Sequence, residues 1–230
     1  MTSDIAAGLA SDRALLDRTG TAERVAGVLR DRIIEGFFLP GTRLSEEAIG
    51  AALGISRNTL REAFRLLSHE RLLVHQLNRG VFVRVLTADD VIDLYRVRRL
   101  VECAAVRQAD PANRAVLPVL REAVAEGELA LREARWRDIG TANMRFHRGI
   151  GRLAGSPRID ELMEHLLAEL RLVFHVMKNP RAFHEPYVAR NRQIADRLEA
   201  GDGQGAERLL AAYLDDAEAQ LLRAYSPPGA

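Results

Sequence analysis

The chain has 230 residues, 47% of them hydrophobic and 28% charged, with a formal net charge of +1. That length and composition support one large or two small domains with a true core. They exclude a membrane-spanning helix, because no apolar run approaches ~18 residues. Acidic Asp4 stands where a secretory leader would be basic, so none is expected. A single Cys, Cys103, leaves no intramolecular disulfide and fits the cytoplasm. Charge is uneven: residues 21–84 hold ten Arg against seven Asp plus Glu, a local +3, so the remainder is about −2. A mildly basic head on a mildly acidic body points weakly to nucleic acid.

Residues 1–20 are small, polar and charged with little periodicity, and read as a flexible N-terminal arm. Val25, Val28, Leu29, Ile33 and Ile34 repeat at helical spacing and predict a helix over 22–36, which Leu39-Pro40-Gly41 ends. Ser45 caps a second helix with Glu46 and Glu47 in its first turn, and Gly54 supplies the turn that follows. A third helix runs over 57–69 with Leu60, Phe64 and Leu67 inward. Leu72 to His75 and Val81 to Val83 read as two strands around the turn Asn78-Arg79-Gly80. Three helices and a hairpin over 21–86 make a winged helix-turn-helix.

Beyond Val85 the strand signals stop. Thr87 to Asp90 is a capping box that opens a helix to about Ala109. Asp110-Pro111 starts the next. Further helices are predicted near 136–154, from Ser156-Pro157 to about 177, over 183–200, and over 205–225 after Gly201-Asp202-Gly203. Six helices over 87–225 make an antiparallel all-α bundle, followed by a short tail at 226–230. The fold class is therefore mostly α, with one small β-hairpin wing.

The chemistry concentrates at Ser56-Arg57-Asn58-Thr59-Leu60-Arg61, the N-terminal end of the third helix. Arg pairs bidentately with guanine in the major groove and Asn with adenine, while Ser and Thr hydroxyls serve phosphates or bases. Arg57 and Arg61, four apart, share a face. Arg65 lies within reach of a phosphate, and Arg79 beside slim Gly80 allows the wing close approach to DNA. The alternative, a solvated Arg-rich helix, has even standing for Arg61 or Arg65 alone but not for the whole constellation with its hairpin.

Three ordered blocks carry a family resemblance: Leu39-Pro40-Gly41-Thr42-Arg43-Leu44-Ser45-Glu46, then Leu53 to Ala63, then Asn78-Arg79-Gly80-Val81-Phe82-Val83. Together they resemble the N-terminal domain of GntR-family bacterial transcription regulators. The resemblance places DNA contacts on Arg57, Asn58, Arg61 and Gly80, with Arg43 in the first matching block. An Arg found in the second helix of some members falls on Glu47, so no contact is assigned there. Asp93 to Glu102, then Asn143-Met144-Arg145-Phe146-His147 followed by Ala154-Gly155-Ser156-Pro157, then Ile194 to Asp202 with Ala206-Glu207 resemble the FCD ligand-binding module of the FadR branch. Six helices suggest its shorter, VanR-like form.

Many FCD domains hold a divalent metal through one Asp and three His. The matching positions are Asn143, His147, Asn191 and Tyr213, so only His147 is retained, and no metal or other cofactor is expected. What remains is a pocket of neutral hydrogen-bonding groups plus Arg98, which implies a small carboxylate effector held by the guanidinium. An Arg98–Glu102 pair at i,i+4 is an equally good reading, as is a satisfied core network for Asn143 and His147. The whole reads as a cytoplasmic, ligand-responsive homodimeric repressor on an inverted-repeat operator. The alternatives are a constitutive dimeric DNA-binding protein and, more remotely, a small all-α enzyme using His147.

Overall fold

A computed structural model describes residues 20–109, 115–175, 177 and 179–225. The expected arm, the helix start at Asp110-Pro111 and the tail lie outside the described residues. The chain divides between Val85 and Leu86 into two compact units. No described helix is long and apolar enough to cross a membrane.

The first unit contains α1 (Thr21–Ile34), β1 (Arg43–Leu44), α2 (Glu46–Leu53), α3 (Arg57–His69), β2 (Leu73–Gln76) and β3 (Gly80–Val83). Val25, Leu29 and Ile33 of α1, Ile49 and Leu53 of α2, and Leu60, Phe64 and Leu67 of α3 are all buried, and α3 packs against both other helices. Both helices of the turn start on a serine. The Ser45 hydroxyl accepts from the Ala48 amide at 3.2 Å, and that of Ser56 accepts from the Thr59 amide at 3.1 Å. Each cap satisfies a donor the helix start would orphan. Between them Gly54 closes α2 in the left-handed region at φ 64°. Arg30 and Glu70 form a two-bonded ion pair at 2.6 and 2.5 Å that ties α1 to the end of α3.

The wing has three strands where the sequence pattern gave two. The sheet order is β1-β3-β2, all antiparallel, with Arg43 opposite Phe82 and Leu44 opposite Val81. The third strand is only two residues long, too short for period-2 alternation to register. It matters, because it puts Arg43 on the sheet rather than on a loop.

The second unit contains α4 (Ala88–Arg107), α5 (Leu117–Arg132), α6 (Trp136–Arg152), α7 (Pro157–His175), α8 (Pro180–Glu199) and α9 (Gly203–Tyr225). The capping box at Thr87 and Asp90 forms as expected, with bonds of 2.9 and 3.2 Å. The fifth helix of this unit begins three residues earlier than the apolar periodicity indicated. Asn179 caps it by accepting from the Ala182 amide at 3.0 Å, and Pro180 at the first position has its φ already set. Ion pairs stitch neighbouring helices at the rim: Arg99 to Asp215 and Glu218 between α4 and α9, Arg192 to Glu128 between α8 and α5. Close approach of α5 and α6 needs Gly149, where a Cβ would stand 2.6 Å from Leu120 Cδ2. The inside is largely apolar, with one connected band of polar side chains and, apart from it, buried Glu169, Arg171 and His184.

Candidate functional site

The first unit presents a cationic face built on the start of α3 and the wing. Arg57 and Asn58 are exposed there. Ser56 is spent mainly on the cap, and its hydroxyl also lies 2.8 Å from that of Thr59, so these two shape the helix start. Arg61 donates through Nε to Glu46 at 2.9 Å, an α2 residue, while remaining largely exposed. In the sequence Glu46 held only a place in the first turn of the second helix; its pairing across the turn aims the Arg61 guanidinium. Arg65 pairs along its own helix with Glu62 at 2.6 and 3.0 Å. Nothing in those two pairs is deeply buried, so each is worth little in stability and can be exchanged for phosphate.

In the wing, the Arg79 guanidinium carbon lies 5.8 Å from the centre of the Phe82 ring. Gly80 has φ +106°, and a Cβ there would meet Arg43 Nε at 3.2 Å. The glycine is therefore required by backbone conformation, and it leaves room for the Arg43 side chain that crosses it. Arg43 and Gly80 thus meet on the sheet, with Arg79 in the adjoining turn over Phe82.

The second unit holds the polar band. Arg98, Glu102, His147, Asn143, Asn191 and Tyr213 come from α4, α6, α8 and α9 and are all buried. The five residues expected to share a site are thus brought together, with Glu102 among them. Arg98 donates through Nε to Glu102 Oε1 at 2.7 Å, and Glu102 Oε2 lies 2.6 Å from His147 Nδ1. Asn143 Oδ1 accepts twice, from Asn191 Nδ2 at 2.7 Å and from the Tyr213 hydroxyl at 2.8 Å. The His147 and Tyr213 rings meet edge-on at 5.0 Å, which joins the two halves. The Arg98 guanidinium carbon also lies 4.9 Å from the centre of the Tyr95 ring.

Burial and pairing set the protonation states. Burial opposes the charge on Glu102, but Arg98 and His147 overcome it and hold the carboxyl below its ordinary value. Burial pushes His147 down despite Glu102, so the imidazole is neutral. A carboxylate only accepts, so the single ring proton sits on Nδ1 and Nε2 carries a lone pair. Three buried polar atoms in this band have no partner: Arg98 Nη2, His147 Nε2 and Asn191 Oδ1. Buried polar groups are normally satisfied, so such a cluster marks unfinished business.

A small cavity of ≈ 10 Å³ abuts Asn143 and Asn191, with Ala123, Gly127, Val188 and His184 in its wall. It holds about one water. His184 had no distinguishing signal in the sequence. Burial, with Arg171 nearby, pushes its pKa down to about 4.

The metal implied by the FCD resemblance does not fit these donors. Asn143 Oδ1 is saturated by two hydrogen bonds, both Glu102 oxygens are engaged, and the four matching positions offer one imidazole nitrogen. Among the described residues no group of three or more His, Cys, Asp or Glu is placed to hold a metal.

A winged helix-turn-helix with a cationic reading face, joined to a helical bundle with an unsatisfied polar band, defines a DNA-binding regulator rather than an enzyme. The comparisons agree. Residues 21–83 match the family described as bacterial regulatory proteins, gntR family, and residues 93–216 match the FCD domain. The chain belongs to the GntR family, in the group that carries an FCD domain. A GntR regulator from Rhodococcus sp. RHA1 is 50% identical, with TM-score 0.84 over 90% of this chain and all of that one. The Nta operon transcriptional regulator of Aminobacter aminovorans is 33% identical over 70% of this chain and 78% of its own. The transcriptional repressor RspR of Escherichia coli K12 is 23% identical over 84% and 86%.

Proposed function

We propose that this regulator is a cytoplasmic, homodimeric repressor that reads an inverted-repeat operator and is controlled by a small metabolite bound in the polar band of its helical unit. The observation that carries the effector reading is the set of three unpartnered buried polar atoms. A bundle that only dimerised would gain stability by filling that band with apolar side chains. Repression is supported by the likeness to RspR. Two-fold symmetry of the site follows from a symmetric dimer, since each wing and recognition helix would read one half-site. Arg57 and Asn58 supply base contacts; Arg61 does so under the aim of Glu46. Arg43, Arg65 and Arg79 neutralise phosphates, Gly80 admits the wing to the backbone, and Ser56 and Thr59 hold the helix start in place.

A carboxylate effector, the class that Arg98 suggests, would meet a guanidinium whose Nε already serves Glu102. It would have to share or displace that partner.

The test is selection of DNA from a random pool by the full chain, followed by stoichiometry and a metabolite screen on the selected site. The expected result is a two-fold symmetric sequence bound by two copies, with at least one metabolite changing the affinity. An asymmetric site bound by one copy refutes the dimer. A site whose affinity no metabolite alters favours a constitutive DNA-binding protein.

A further inference from the structure

The open hydrogen-bond valences of the polar band select a ligand class. This selection rests on the reading of that band as the effector site. Glu102 and Arg98 cancel in charge, His147 is neutral, and Asn143, Asn191 and Tyr213 carry none, so the band as a whole is uncharged. Its open valences are unequal. His147 Nε2 and Asn191 Oδ1 are acceptors lacking a donor, and Arg98 Nη2 is a donor lacking an acceptor. A carboxylate brings acceptors only. It could satisfy Arg98 Nη2, but it would leave the two lone pairs to other ligand groups and bring a net negative charge beside the Glu102 carboxylate into a buried band already neutral, which is costly. A hydroxyl both donates and accepts.

We propose that the site binds a neutral, polyhydroxylated small molecule, with ligand hydroxyls donating to His147 Nε2 and Asn191 Oδ1 and a ligand oxygen accepting from Arg98 Nη2. The cavity beside Asn191 receives one end, where Ala123, Gly127 and Val188 face the ligand's C–H surface. That cavity is ≈ 10 Å³ and neither Arg98 nor His147 lines it, so binding requires side chains such as Val188 to move outward and open space from Asn191 toward those two residues. Glu102 is the positioning residue. It fixes the tautomer that makes His147 an acceptor, and it removes the net charge that would draw an anion.

The experiment compares matched pairs that share a skeleton and differ in charge: glycerol with glycerate, xylitol with xylonate, glucitol with gluconate. Each is titrated into the full chain by calorimetry, and its effect on operator affinity is recorded. The expected result is that a neutral member binds at least about tenfold tighter than its acid, a gap of ~1.4 kcal/mol. Asn191→Leu should abolish that binding while circular dichroism stays unchanged. Glu102→Gln should reverse the preference toward the acid, since Arg98 then lacks its counter-charge. If Glu102→Gln does not fold, His147→Phe serves instead, and loss of neutral binding is expected. Tighter binding of the acids by the unaltered chain overturns the proposal and leaves the effector reading standing. Binding of neither member of any pair overturns it as well. Neutral binding that survives Asn191→Leu overturns the placement. Neutral binding that leaves operator affinity unchanged upholds the ligand class and overturns the effector reading instead.

Discussion

Glu102→Ala is the sharpest perturbation of the bundle. The carboxylate is 0% exposed and bridges Arg98 at 2.7 Å and His147 at 2.6 Å. Its removal leaves a guanidinium that is 2% exposed and has lost the one carboxylate paired with it among the described residues. Breaking a buried pair from one side costs about 3–5 kcal/mol, because the remaining charge stays desolvated. In a chain of this size each kcal/mol moves Tm by about 2–4 °C, so the fall should be about 10 °C. Arg98→Met together with Glu102→Leu removes both charges and should recover most of the loss. The shortfall is the ~1–3 kcal/mol for the His147 Nδ1–H left without an acceptor. Urea unfolding of the three proteins, followed by helix circular dichroism, measures this. If Glu102→Ala costs less than about 1 kcal/mol, Arg98 reaches water or another acceptor, and the buried triad is wrong.

Three other outcomes follow from the same geometry. Arg57→Ala should weaken operator binding by ~1–3 kcal/mol and relax preference at one base pair, whereas Arg65→Ala should weaken all sequences alike and lower the salt slope by about one; anisotropy titrations on operator and mismatched DNA check this, and equal affinities for Arg57→Ala and the parent sink the recognition-helix assignment. His184, with its pKa lowered from 6.5 to about 4, contributes nothing to the pH dependence above 6.5, and stability drains as pH falls from 6.5 toward 4 because only the unfolded chain takes up the proton. Between pH 7 and 5 that amounts to about 2 kcal/mol, so His184→Gln should flatten the denaturation midpoint over this range, and an unchanged slope would show the ring to be solvated. Gly149→Ala gains ~1 kcal/mol of helix propensity but sets a methyl 2.6 Å from Leu120 Cδ2, which costs ~1–3 kcal/mol; net destabilisation is expected, and a raised Tm would mean that α5 and α6 lie farther apart.

The sequence made the head legible because its signals are local. Ser45 and Ser56 are caps within three residues of what they cap, Gly54 marks its own turn, and α3 alternates inward Leu60, Phe64 and Leu67 with outward Arg and Asn. The bundle's helices were legible for the same reason. What escaped was made by tertiary contact. β1 is two residues held by register with β3, and Glu46 meets Arg61 across a turn. In the polar band, the Arg98–Glu102 pair is visible at i,i+4. The Glu102–His147 bond, 45 residues apart, and the place of His184 beside Asn143 exist only once four helices pack. The family resemblance collected Asn143, His147, Asn191 and Tyr213 into one site. It left Glu102 outside, and Glu102 decides which tautomer and which net charge that site presents.

If the polar band is the effector site, it and the DNA-reading face share free energy. The most direct measurement is reciprocal. Operator affinity of the full chain is titrated with and without a saturating ligand from the matched pairs, and ligand affinity is titrated with and without operator. Both should change by one and the same factor, in the range of about 5–150-fold. A ligand that binds in the bundle while both affinities stay fixed would contradict that coupling.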